Sequence, residues 1–149
     1  MKKDNYDELQ MSIRYKTAAQ CLGIIFLLTF VNGFVNEEFV WAPPITQSLV
    51  IIMITTTYFI VMTTLKGAYI SNKEKNPLFT VICFGILAIV SFIGFVGGFS
   101  RMGMDYLVKD KMLTSSSGTI FMTIFWTVCS LINLYKFLKN RNMKEDCLY

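Results

Sequence analysis

Histidine is absent from this chain of 149 residues, and so is any dense distribution of charge. Without histidine there is no imidazole general base and no H-E-x-x-H zinc site. No C-x-x-C pair, Walker loop or G-x-S-x-G turn occurs, and no base stands ready to activate a serine. The sequence therefore predicts a protein that is not an enzyme and carries no cofactor and no catalytic or metal site. Charged residues make up 16% of the chain, against about 25% in a soluble domain. The shortage is concentrated in four stretches, which removes an ordinary soluble fold, a disordered tail and a disulfide-stapled secreted domain from consideration.

What fills those stretches is apolar. Residues 17–35, 45–65 and 77–99 carry no charge, and 118–138 carries only Lys136, near its end. Each is long enough for a helix to cross a hydrocarbon layer about 30 Å thick. They are too long for strands and lack the alternation of a membrane barrel. Lipid offers no partners for backbone groups, so helices are the expected solution. The expectation is an all-α membrane protein, a bundle of four transmembrane helices.

Lysine and arginine set the expected orientation. Eleven of the fourteen fall in the N-terminal segment, the loop between the second and third stretches, and the tail. The positive-inside rule then places both termini in the cytoplasm, in a multi-pass protein of the cell membrane. The first stretch is expected to remain uncleaved, since it is long for a signal peptide and no A-x-A-like site closes it. The expected organisation is a cytoplasmic segment 1–16, a membrane domain 17–138 and a tail 139–149. The basic part of the tail favours anionic lipid at the inner face, and the net charge of +4 needs no nucleic-acid partner.

Outside the spans, Asn5 is expected to cap a short helix up to Lys16, with Glu8 three residues on. Tyr6, Leu9 and Ile13 share one face of it, a possible docking face for a membrane or cytoplasmic protein. Phe39 and Trp41 suit an interfacial belt. In the longest connection Asp105 and Lys109 have the spacing of a short interfacial helix. Inside the spans, polar side chains such as Gln20, Asn32 and Ser130 are expected to bond between helices. Thr56, Tyr58 and Asn133 would be the residues of an intramembrane polar cluster if a pathway exists. Ala19 with Gly23, and Gly94 with Gly98, have the small-x-x-x-small spacing of close helix contacts, within one chain or across a homo-oligomer. Cys21-Leu22-Gly23-Ile24 is echoed at Cys83-Phe84-Gly85-Ile86, which would make two parallel hairpins.

The stretch Asp7-Glu8-Leu9-Gln10, followed by Ile13-Arg14 and then a span, resembles a group of small uncharacterised bacterial multi-pass membrane proteins. That group has a D-E-x-Q…I-R segment before its first helix, with arginine where Leu9 stands. Lys66-Gly67-Ala68-Tyr69-Ile70, at the end of the second span, is also similar. The resemblance implies a bacterial inner-membrane protein and no particular activity. Two readings of function follow from the residues. One is a non-enzymatic accessory or regulatory protein acting through protein contacts. The other is a small transporter or channel-forming subunit with its pathway at an oligomer interface.

Overall fold

The computed structural model describes residues 7–69 and 77–146. Four helices dominate: α1 (Glu8–Glu38), α2 (Pro44–Leu65), α3 (Pro77–Met102) and α4 (Gly118–Asp146). All four are long and apolar enough to cross a membrane. The shortest, at 22 residues, rises about 33 Å at 1.5 Å per residue. Among the described residues one hairpin of two-residue strands, β1 (Val108–Lys109) and β2 (Met112–Leu113), stands between the last two helices.

Local chemistry fixes the helix ends. Asp7, rather than Asn5, caps α1. Its carboxylate accepts from the Gln10 backbone N–H at 2.7 Å, and the Gln10 side chain accepts from the Asp7 N–H at 3.4 Å. Asn5 lies outside the described residues. From this cap α1 runs through Lys16 and the first apolar stretch without a break. Asp7→Ala is expected to cost about 1 kcal/mol, read as fraying of residues 8–11 by amide hydrogen exchange with the rest of α1 still protected.

Proline opens α2 at its first position, where the missing N–H would have had no helical partner. Gly67, at φ +71°, closes it. The Gly67 N–H bonds Thr64 O at 3.0 Å and the Ala68 N–H bonds Thr63 O at 2.7 Å, the paired bonds of a Schellman motif. Gly103 at φ +60° ends α3 in the same region of backbone space. The chain then makes a 3-10 turn (Gly103–Tyr106), the hairpin, and a second 3-10 turn (Ser115–Ser117) before α4.

That connection differs from the helix expected around Asp105 and Lys109. Asp105 sits in the 3-10 turn and Lys109 in β1, so the pair shares no helix face. Asp110 and Lys111 form the two-residue tip, at φ 52° and 65°. Positive φ at both positions is the type I′ geometry that follows strand twist. The usual Asn-Gly signature is missing, which is why the sequence did not announce the hairpin.

The helices pack in the order α1–α2–α4–α3. The second helix of each hairpin stands at the centre and the first at the edge. The small core lies between α2 and α4, where Ile60, Phe125 and Cys129 are buried, flanked by Met53, Phe84 and Trp126 among others. Trp126 stacks on Phe84 and meets Phe125 edge-on, so it packs inside the bundle. Outward-facing positions such as Phe26, Phe30, Ile89 and Ile93 are apolar and exposed. Exposed apolar surface of this extent is out of place in water and at home in lipid.

Candidate functional site

Polar chemistry gathers at the two ends of the bundle. At the hairpin end, opposite the chain termini, amide side chains join α1 to α2. Gln47, 5% exposed near the start of α2, accepts through Oε1 from Asn32 Nδ2 at 2.8 Å and Asn36 Nδ2 at 2.7 Å. Its Nε2 donates to Asn36 Oδ1 at 2.8 Å and to the Ala42 carbonyl at 2.7 Å. Trp41 Nε1 donates to Asn32 Oδ1 at 2.8 Å, so Trp41 is a network member as well as an aromatic at the helix end. Both hydrogens and both lone pairs of the Gln47 amide are used. The saturated Gln47 amide holds α1 against α2 at this end.

The long connection docks on the same end. Leu113 N–H bonds Trp41 O at 2.9 Å, tying the hairpin to the first loop. Tyr106, 8% exposed, lays its ring against Gly98 of α3 and Phe95 beside it. Its hydroxyl pairs with Thr119 Oγ1 at 2.9 Å, and Thr114 Oγ1 donates to its carbonyl. Gly98 therefore makes room for an aromatic ring of its own chain. Gly23 and Gly94 meet no neighbour within 4 Å, and Ala19 is exposed, so these three positions lie open at the surface of the chain.

At the other end, the two segments that carry the sequence resemblance meet. Gln10, 7% exposed, donates through Nε2 to the Gly67 carbonyl at 2.9 Å. The same side chain thus completes the α1 cap and ties α1 to the α2 closing turn. Around this junction Thr17, Thr63, Thr64, Ala68 and Asn133 are all buried. Lys136 of α4 brings its Nζ to 4.0 Å from where a Cβ on Gly67 would stand. Sequence reading missed the reach of Gln10, because a polar residue in a first helical turn is ordinarily read only as a cap.

The structure does not gather Thr56, Tyr58 and Asn133 into one bonded group. Thr56 lines a groove between α1 and α2. The Tyr58 hydroxyl donates to Gln20 Oε1 of α1 at 3.0 Å. Asn133, on α4, donates through Nδ2 to the Cys129 carbonyl one turn back at 2.8 Å. Thr55, Thr57, Thr63, Thr123 and Thr127 likewise bond carbonyls of their own helices. Of the proposed docking face, Leu9 is 71% exposed and Ile13 half-buried. Tyr6 lies outside the described residues. Among the described residues no three Cys, Asp or Glu side chains come together as a metal site. Compared with protein-family models, curated proteins and solved structures, the chain matches none.

Proposed function

We propose that the chain is a non-enzymatic accessory or regulatory protein of the cell membrane, with four spans and both termini in the cytoplasm. It acts through a protein partner that docks on the N-terminal part of α1. The observation that carries this reading is how the polar groups of the spans are used. Tyr58 is bonded across to α1, the Asn133 amide N–H within α4, and the hydroxyls of Thr17, Thr55, Thr57, Thr63, Thr123 and Thr127 to their own helices, while Asn133 Oδ1 and Thr64 Oγ1 are buried on different helices without a partner. Conduction or transport would need polar groups converging on a hydrated path. Leu9 provides the contrasting feature. It is a large apolar side chain left 71% exposed on a helix held in place by the Gln10–Gly67 bond.

Leu9→Glu is the direct test, because it changes the exposed face and leaves Asp7 and Gln10 intact. Crosslinking in membranes of the native host, followed by mass spectrometry, should recover a stoichiometric second polypeptide with the natural chain. It should recover about tenfold less with the variant, the equivalent of about 1.4 kcal/mol, at equal insertion. Equal recovery from both would remove the docking face from the account. The transport reading has its own test in Thr56→Val, Tyr58→Phe and Asn133→Leu. Unchanged solute flux in all three is the result expected here, and a loss of flux would restore a pathway at an oligomer interface.

A further inference from the structure

Two approaches fix how α2 lies against α4. Ile60 of α2 shares the small core with Cys129 of α4. About two turns further along both helices, Lys136 Nζ stands 4.0 Å from where a Cβ on Gly67 would lie. Thr64 falls between these approaches on the α2 side, one turn after Ile60, and Asn133 on the α4 side, one turn after Cys129. Residues three and four apart share a helix face, so both side chains belong to the same seam at the same level. Both are enclosed, Thr64 at 2% exposure and Asn133 at 3%. Asn133 Nδ2 donates to the Cys129 carbonyl, but Oδ1 has no hydrogen-bond partner. Thr64 Oγ1 has none either, whereas the neighbouring Thr63 hydroxyl donates to Phe59 O at 2.7 Å.

We infer that Thr64 and Asn133 form a binding site for one ordered water molecule, which donates to Asn133 Oδ1 and pairs with Thr64 Oγ1. An amide oxygen only accepts, so its partner must bring a proton, while a hydroxyl can take either role. Buried polar groups of this kind are ordinarily met by such waters. An alkali cation is the poorer occupant, because Lys136 brings positive charge to this end of the seam. No acidic residue stands in α2, or in α4 before Glu145, to offset a second charge. The water joins the two halves of the fold. Tyr58 and Gln47 tie α2 to α1, and Ser130 of α4 donates to the Val81 carbonyl of α3 at 3.5 Å. A bridging water is enthalpically close to a direct bond, and here it links α2 to α4. One enclosed water is no path, since Ile60, Phe125 and Cys129 close the seam beyond it. The site is independent of the docking face on α1.

The test is a crystal structure of the whole chain, grown from a lipid phase in rubidium chloride and resolved well enough to show ordered water. One water peak within hydrogen-bond distance of both Thr64 Oγ1 and Asn133 Oδ1 is expected, with no anomalous signal from rubidium. A rubidium peak there would replace the water with a cation. A Thr64 hydroxyl bonded directly to Asn133, or a seam with no peak, would also overturn the site. Thermal unfolding in mild detergent gives a second reading in solution. Thr64→Val and Asn133→Leu should together raise the unfolding equilibrium constant about fivefold less than the product of their separate effects, because either change alone already breaks the bridge. Thr64→Ser, which keeps the hydroxyl, should still show the coupling to Asn133→Leu that Thr64→Val abolishes. Independent effects of Thr64→Val and Asn133→Leu would contradict a shared water.

Discussion

Gly98→Ala will detach the long connection from α3, while Gly94→Ala, one turn earlier, will leave stability unchanged. A methyl group on Gly98 would overlap Cε2 and Cζ of the Tyr106 ring, whereas one on Gly94 would meet nothing within 4 Å. The ring cannot retreat and keep its hydroxyl on Thr119 or its contact with Phe95. Forcing an atom into such a space typically costs about 1–3 kcal/mol, and the ring, held at its hydroxyl by Thr119 and at its face by Phe95, loses both contacts when it moves. Thermal unfolding in mild detergent reads the loss, and hydrogen exchange across residues 103–117 shows where it occurs. Adding Tyr106→Ala to Gly98→Ala should recover part of the exchange protection in α3, because the clash disappears with the ring. Were the two glycines a self-association motif instead, both alanine variants would lower the oligomer fraction and neither would expose the loop selectively.

Gln47→Leu carries the other large expected effect. It removes an amide that takes part in four hydrogen bonds and strands Asn32 Nδ2, Asn36 and the buried Ala42 carbonyl. A single interhelical hydrogen bond in a membrane protein is worth about 0.6 kcal/mol on average. Leaving buried groups without partners costs more, about 1–3 kcal/mol for each group that finds no substitute. Solvent can reach half-buried Asn32 and Asn36 but not Ala42, which is fully buried. The expected total is therefore about 2–4 kcal/mol. Asn36→Leu in the Gln47→Leu background should cost less than Asn36→Leu alone, because its partner is already gone. Additive costs in that cycle would mean that the amides stabilise the α1–α2 junction independently.

The helices were legible because the rule behind them is simple. Lipid demands internally bonded backbone, and an uncharged stretch of sufficient length has one way to comply. The ends were less legible for an equally physical reason. Hydropathy stops at the first charge: the helix expected before Lys16 came from capping chemistry and is present, capped at Asp7 and continuous with the span, whereas nothing announced that α4 continues past Lys136 and Lys139 to Asp146. The hairpin was hidden because Asp110-Lys111 adopts a backbone that sequence associates with Asn-Gly. The polar ends of the bundle escaped for another reason. Gln47 and Asn36 flank a proline-rich loop and Gln10 sits in a first turn, positions where a polar residue usually faces water. Only the folded chain shows Gln47 and Gln10 buried and Gly98 filled by Tyr106. The spacing of Gly94 and Gly98 was visible, but its use by a ring twelve residues beyond Gly94 was not.

The account depends most on four crossings with both termini on the cytoplasmic side. A variant with its four cysteines replaced can carry a single new one at Lys111→Cys, on the hairpin tip, or at Lys3→Cys. Labelling with a membrane-impermeant maleimide on sealed, right-side-out membranes then reads each position separately. The account predicts rapid labelling at position 111 and none at position 3 until the membrane is permeabilised. Labelling at 3 but not 111 would invert the orientation, and labelling at both before permeabilisation would contradict the four-span arrangement itself.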